Sequence, residues 1–238
     1  MTHIDDFLSA FSAIEKGLRS KLRALPRVTF YELVERAAER DAKVRRLRDD
    51  LKEFADLRNA IVHERTDGHA IADPNARAVR DIRRLQDLLL APPAVMPAFA
   101  RHILRVGLRA PIGEVAADMT KHSYSQVPVT DGGRCVGLLT TNTIARWLGA
   151  NAAEDLVSLR DTSVADVMEH TESKDNYRIV GRGESQFDVL ALFQDFEGRG
   201  KRLEAVLISD AGKAEQALLG IITLYEMPTL IRNTGLRQ

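Results

Sequence analysis

Residues 127–140, VPVTDGGRCVGLLT, decide the fold of the second half of this chain, because the pattern returns at residues 206–223 as VLISDAGKAEQALLGIIT. Each copy predicts a strand, a turn containing Asp and Gly, and a second strand that ends in Gly, two apolar residues and Thr. Helices predicted at residues 112–122 and 185–197 precede the two copies in the same order. The repeat therefore predicts two βαββα units, which fold most economically as a pseudo-twofold pair.

The first ninety residues predict helices instead. Apolar side chains recur every three or four residues from Ile4 to Leu22, and Thr29 is a good N-cap for a second helix. A third helix has an apolar face formed by Val44, Leu47, Leu51 and Phe54, and Asp73-Pro74 opens a fourth helix. Four amphipathic helices joined by short connections predict an antiparallel bundle.

The two patterns together predict the fold class α + α/β. The Pro-rich stretch after the bundle, APPAVMP at residues 91–97, is the predicted domain boundary. The predicted organisation is a helical bundle in residues 1–91, a linker in residues 92–97 and the repeat in residues 98–238. Within the repeat, the two units are predicted at residues 98–150 and 162–235.

The composition is that of an ordinary globular protein: 238 residues, of which 45% are hydrophobic, with 34 basic and 34 acidic side chains. The lack of net positive charge argues against tight, non-specific binding to long nucleic acid, although it leaves room for a local phosphate site. The one cysteine, Cys135, cannot form an internal disulfide, which is typical of a reducing compartment. No apolar run reaches the roughly 20 residues that span a bilayer, and the N-terminus lacks the features of a signal peptide. We therefore expect a cytoplasmic protein that does not enter a membrane.

The run Arg58-Asn59-Ala60-Ile61-Val62-His63 carries the clearest signal for chemistry. The spacing of the apolar face predicts that Arg58 points inward, where a charged group must be paired, solvated in a cleft or used. His63 suits a general base or acid, because histidine titrates near neutral pH. Arg58 suits the charge of a pentacoordinate phosphate, and Asn59 lies four residues before His63 on the same helix face. The run therefore predicts a site for phosphodiester chemistry.

With its Arg58-Asn59-x-x-x-His63 motif near the end of the third of four helices, the bundle resembles the HEPN superfamily (higher eukaryotes and prokaryotes nucleotide-binding). The resemblance implies a metal-independent ribonuclease that cuts by attack of the 2′-hydroxyl on the adjacent phosphate, with Arg58, Asn59 and His63 as catalytic residues. Arg58 and His63 are about 140° apart on an ideal helix, and cleavage needs both a base and an acid. We therefore expect a homodimer that brings two motifs together across a cleft. The alternative is structural: Arg58 pairs with Asp56 or Glu64, and His63 only ends the helix.

The repeat resembles a tandem pair of CBS (cystathionine β-synthase) domains. The matching residues are the runs Gly137–Thr140 and Gly220–Thr223, the Val-Pro-Val of residues 127–129, and Val164–Met168, which looks like the opening of a CBS unit. The resemblance implies an adenine nucleotide, similar to AMP, ADP or ATP, as a regulatory ligand in the cleft between the two units. It also implies that the Thr ending each run meets phosphate, while an acidic residue three positions later holds the ribose hydroxyls.

At these positions the chain has Thr223 with Glu226, and Thr140 with Thr143. Glu226 is a suitable acceptor for ribose hydroxyls, whereas Thr143 is a poor one, so we expect at most one competent site. The alternative is that both Thr residues only cap the following helix and the cleft stays empty. No spacing of His or Cys residues predicts a metal site.

The two resemblances together predict an adenine-nucleotide-responsive, metal-independent endoribonuclease of HEPN type that acts on RNA as a homodimer. The alternative function is a non-catalytic, nucleotide-sensing or dimerisation adaptor with a CBS ligand site. The two functions differ in whether Arg58 and His63 of two chains face one open groove or Arg58 is sealed in a salt bridge.

Overall fold

The computed structural model describes residues 2–63, 65–66, 69–70, 73–153 and 157–236. The chain divides into two compact units. The helical unit comprises Met1–Pro93, Ser185–Ala191 and Pro228–Gln238, and the repeat unit comprises Ala94–Glu184 and Leu192–Met227. The helical unit therefore includes two segments that the predicted boundaries assign to the repeat. Their side chains explain why, since Phe187, for example, is 1% exposed in the core of the helical unit.

Helices with short connections form the N-terminal part of the helical unit. They are α1 (His3–Leu22), α2 (Phe30–Ala38), α3 (Ala42–Arg46), α4 (Arg48–His63) and α5 (Ala76–Leu90), and the strands β1 (Arg65–Thr66) and β2 (His69–Ala70) pair antiparallel between α4 and α5. Reciprocal capping sets two helix starts. Thr2 and Thr29 accept the backbone N–H groups of Asp5 and Glu32, whose carboxylates accept from the N-caps in return. The predicted N-cap at Thr29 is confirmed.

The predicted third helix differs from the structure in two respects. It is interrupted at Leu47, which lies between α3 and α4, although Leu47 and Leu51 keep their buried positions at 1% exposure each. Beyond Leu51 the next buried residues are Ala55 and Ile61, at 2% and 3% exposure, and Phe54 is only partly buried against the same core. Arg58, which the spacing places inward, is half-buried. A long cationic side chain at the margin of a core can pack its stem while its charged end stays near water.

From Val106 onward, strands and helices alternate. The first repeat contains β3 (Val106–Gly107), α6 (Ile112–Lys121), β4 (Gln126–Asp131), β5 (Arg134–Thr140) and α7 (Thr141–Ala150). The second repeat follows the short helix α8 (Val164–Met168). It contains β6 (Tyr177–Gly181), α9 (Gln186–Gly198), β7 (Ala205–Ser209), β8 (Leu218–Ile222), a single 3₁₀ turn (Leu224–Glu226) and α10 (Met227–Asn233). The predicted βαββα order therefore occurs twice.

The sheets of the two repeats have the same topology. In the first three-stranded sheet β3 pairs parallel with β4, which pairs antiparallel with β5. In the second, β6 pairs parallel with β7, which pairs antiparallel with β8. Cys135 and Leu138 of β5 pack with Ala205 and Leu207 of β7, so buried side chains join the two sheets. This mixed architecture agrees with the predicted class of α + α/β.

The segment that opens each repeat packs on the other repeat. Val164 and Val167, in the predicted opening of the second repeat, are fully buried in the core of the first. In the opposite direction, Ala100 forms an antiparallel bridge with Gly220 of β8, and the Arg101 N–H donates to Leu219 O at 3.3 Å. Boundaries drawn in chain order, at residues 98–150 and 162–235, therefore do not separate the two packed repeats.

Two arginines of the helical unit bind carbonyl groups at the end of α10. Arg46 donates to the carbonyl oxygens of Ile231 and Thr234, at 3.3 and 3.2 Å. Arg84 donates to those of Arg232 and Gly235, at 3.1 and 3.0 Å. The last carbonyls of a helix have no partner within the helix, and cationic groups there also stabilise its dipole. These contacts fix residues 231–235 within the helical unit.

No helix in the described ranges is both long and apolar enough to cross a lipid bilayer.

Candidate functional site

Thr223 and Glu226 are brought together at the end of β8. Thr223 caps the 3₁₀ turn that follows the strand, and its backbone N–H and its hydroxyl both donate to Glu226 Oε2 at 2.7 Å. Glu226 is 6% exposed. A buried carboxylate is stable only when its oxygens accept hydrogen bonds, and this turn supplies two of them. The capping role that was the structural alternative for Thr223 is thus present, and it also orients Glu226.

Arg101 supplies the third contact to this carboxylate. Its Nη2 lies 2.9 Å from Glu226 Oε1, the oxygen that does not accept from Thr223. The bridge between Ala100 and Gly220 places Arg101 beside the end of β8. Arg101 was not predictable from the sequence, because Arg101 and Glu226 are distant in the chain and meet only where the opening segment of the first repeat packs on the second.

Gly220 allows this arrangement. A Cβ atom at position 220 would lie 2.3 Å from the carbonyl oxygen of Phe99, far inside van der Waals contact. The glycine of the repeated Gly-x-x-Thr run is therefore required where the opening segment crosses β8. The equivalent glycine, Gly137, has a Cβ position 2.7 Å from Met168 Cε, the end of a flexible side chain.

Gly220→Ala should destabilise the protein by about 1–3 kcal/mol, the usual cost of inserting a methyl group into a filled space. A loss of stability would be informative, because replacing glycine by alanine in a strand ordinarily stabilises a protein. Chemical denaturation measures the difference. Gly137→Ala is the matched control and should cost less, because the Met168 side chain can move. Equal stability of wild type and Gly220→Ala would contradict the close approach.

Thr223 and Glu226 line a cavity of about 390 Å³ in the repeat unit. One part of its wall is apolar and is formed by Ile103, Leu104, Val127, Pro128 and Ile221. The rest is polar and includes Arg101, His102, His122, Tyr124 and Tyr225. Tyr225 is 89% exposed, and the rings of His122 and Tyr124 stack with their centroids 5.4 Å apart. An apolar wall with a few convergent polar groups is the usual form of a small-molecule site.

The corresponding pair in the first repeat is arranged differently. The Thr143 N–H donates to Thr140 Oγ1 at 3.1 Å, and the two hydroxyl oxygens are 3.0 Å apart. Thr143 is 2% exposed, whereas Thr140 lines a second cleft of about 570 Å³. Asn142 also lines this cleft, and its amide donates to Glu172 at 3.0 Å. Thr140 therefore caps α7, and the position equivalent to Glu226 presents a buried hydroxyl rather than a carboxylate.

The predicted catalytic residues lie on α4. Arg58 Nη1 donates to Asn59 Oδ1 at 3.2 Å, and both residues are half-buried. Asp56, one of the acids suggested as a partner for Arg58, accepts a short hydrogen bond from the Tyr31 hydroxyl, and this bond raises the pKa of Tyr31. His63 is the last residue of α4, but its side chain lies outside the described residues, as does Glu64. Arg58 and Asn59 therefore meet, while the place of the His63 imidazole stays a prediction.

Within the described ranges, no group of three or more His, Cys, Asp and Glu side chains is placed to hold a metal ion.

Comparison with known proteins identifies part of the repeat. The family model of the CBS domain matches residues 99–150. This segment is similar to CBS domains. It coincides with the first predicted unit, residues 98–150, and the second repeat has the same strand topology as the first. The match does not extend to the helical unit, so it does not test the resemblance to HEPN. The comparison with curated proteins found no match.

Solved CBS structures resemble the chain at low sequence identity. A CBS-domain-containing protein from Agrobacterium tumefaciens is 23% identical over 54% of this chain and 89% of its own, with a TM-score of 0.39. A CBS domain pair in complex with 5-methylthioadenosine and S-adenosyl-L-methionine is 19% identical over 60% of this chain and 99% of its own, with a TM-score of 0.44. The protein CbpB, in complex with c-di-AMP, is 13% identical over 65% of this chain and 93% of its own, with a TM-score of 0.45.

Proposed function

We propose that this protein is a nucleotide-responsive regulator that binds an adenine nucleotide through Thr223 and Glu226. The observation that carries the proposal is the buried Glu226 carboxylate, held at the wall of a 390 Å³ cavity beside a CBS domain. A fixed carboxylate is a strong acceptor for a pair of vicinal hydroxyl groups. The apolar wall of the cavity suits a purine base, and its size is that of a small-ligand pocket.

The two Thr positions have unequal roles in this proposal. At Thr223 the carboxylate of Glu226 lines the cavity, whereas at Thr140 the equivalent residue is Thr143, which has no carboxylate. A ribose bound beside Thr140 would lack a charged acceptor. We therefore propose one nucleotide per chain, in the 390 Å³ cavity lined by both Thr223 and Glu226 (the Thr223 cleft).

Calorimetric titration of the full chain with AMP tests the proposed function, with CMP as the control for the base. The expected result is saturable binding of about one AMP per chain, and weaker binding of CMP because its smaller base covers less of the apolar wall. No binding of AMP at millimolar concentration would overturn the proposal.

A second candidate function concerns the helical unit: a metal-independent endoribonuclease of HEPN type that acts as a homodimer. The observation in its favour is the contact between Arg58 and Asn59, two half-buried polar residues of the predicted motif near the end of α4. In this proposal His63 transfers a proton and Arg58 stabilises the charge on the phosphate. Asn59 orients either the His63 ring or the phosphate. The alternative is a sensor or dimerisation adaptor in which the helical unit binds a partner and does not cut RNA.

The chain itself offers a route by which the nucleotide would regulate the helical unit. Ile231 lies five positions after Glu226 in the chain, and its carbonyl oxygen accepts from Arg46 of the helical unit. A ligand that holds Glu226 in one position would therefore act on α10. Such regulation requires that the ligand bind two arrangements with different affinity. Equal ribonuclease activity with and without bound AMP would remove the regulatory part of the proposal.

A further inference from the structure

Arg101 adds to the cleft a cation whose partner can be exchanged. Its side chain is 42% exposed, whereas that of Glu226 is 7% exposed. Glu226 Oε2 accepts from Thr223, and Oε1 faces the Arg101 guanidinium at 2.9 Å. The buried carboxylate is therefore fixed by the turn, while its cationic partner reaches from solvent. Of the two groups, Arg101 is the one that can move at small cost.

We propose that the ion pair between Arg101 and Glu226 makes the cleft selective for phosphorylated adenine nucleosides over adenosine. The proposal rests on the proposed function, because it concerns the ligand of the same cleft. When a nucleotide enters, the ribose hydroxyls donate to Glu226 Oε1 and displace Arg101. The guanidinium then turns to the phosphate of the ligand, which is attached to the same ribose.

The balance of contacts explains the selectivity. Adenosine would replace a charge-assisted contact of Glu226 with a neutral hydroxyl donor, and it would leave Arg101 with water only. AMP makes the same replacement at Glu226 but gives Arg101 a new anionic partner, to which a guanidinium can donate two parallel hydrogen bonds. His102 lies on the wall of the same cavity and can donate to a remaining phosphate oxygen. The phosphate therefore gives Arg101 an anionic partner in place of Glu226.

The test compares the dissociation constants of AMP and adenosine for the full-length wild type and for Arg101→Gln, measured by calorimetry. Glutamine keeps most of the length of the side chain and removes its charge. We expect wild type to bind AMP at least about ten-fold more tightly than adenosine, the effect of one charge-assisted contact. In Arg101→Gln the affinity for AMP should fall by about ten-fold, while that for adenosine stays equal or rises. Arg105→Gln is the matched control, an exposed arginine four residues along the chain.

The outcomes separate this proposal from the proposed function. Wild-type protein that binds AMP and adenosine equally would overturn the selectivity and leave nucleotide binding intact. An Arg101→Gln variant that keeps the wild-type ratio of the AMP and adenosine affinities would also overturn the selectivity. If wild type binds neither compound, the proposed function itself is wrong, and this inference is wrong with it. Thermal unfolding of both variants establishes that the fold is retained.

Discussion

Glu226→Gln should weaken AMP binding by about ten- to one-hundred-fold, the range that corresponds to losing a hydrogen bond to a charged acceptor. The carboxylate is buried, and both of its oxygens are held by named donors, Thr223 and Arg101. Glutamine is nearly isosteric and keeps one carbonyl oxygen, so it can still accept from the Thr223 N–H. The loss should therefore appear in ligand affinity more than in folding. Calorimetry with AMP, together with chemical denaturation, measures the two effects separately.

Thr143→Val is the control for this experiment, because it changes the equivalent position of the first repeat. Valine removes the hydroxyl that contacts Thr140 Oγ1 and keeps the shape of the side chain. Since Thr143 is buried, we expect the affinity for AMP to stay within about two-fold of the wild-type value, as for independent sites. A large loss in Thr143→Val with none in Glu226→Gln would place the nucleotide at the Thr140 cleft and contradict the assignment.

His63→Ala should reduce cleavage of RNA by about 10²–10⁴-fold if the helical unit is a ribonuclease, which is the usual contribution of a general acid or base. The reaction contains a mixed RNA pool and a chelator, with no added metal. Products ending in a 2′,3′-cyclic phosphate would identify attack by the 2′-hydroxyl. The expected loss of cleavage depends on the motif of α4, in which Arg58 contacts Asn59.

The matched control is His3→Ala, which removes an exposed histidine at the start of α1. It should cleave at the wild-type rate. Activity that survives in His63→Ala would assign the cleavage to another residue or to a contaminating nuclease. An inactive wild-type protein, with and without AMP, would favour the non-catalytic adaptor.

Local features of the fold were predictable because they depend on neighbouring residues. The N-cap at Thr29 and the order of strands and helices in both repeats follow from short-range patterns. The contact between Thr223 and Glu226 is of the same kind, since three residues of separation form a capping turn. The sequence therefore placed Thr223 and Glu226 at one site at the end of β8, and their contacts with a ligand stay a prediction.

Long-range features were not predictable, because apolar periodicity reveals that a face is buried and not what covers it. Val164 was assigned to the second repeat by its position in the chain, yet it packs in the core of the first. The same exchange brings Arg101 to Glu226 and requires glycine at position 220. Between Leu51 and Ile61 the buried residue of α4 is Ala55 rather than Phe54, and the spacing of apolar residues does not indicate the interruption at Leu47.

A crystal structure of the full chain grown with saturating AMP would show directly where the nucleotide binds. We expect one AMP at the Thr223 cleft, with its ribose hydroxyls on Glu226 and its phosphate on Arg101. Its base should lie against the wall that includes Ile103 and Ile221. AMP bound at the Thr140 cleft, or an Arg101–Glu226 ion pair that persists with the Thr223 cleft empty at saturation, would contradict this expectation.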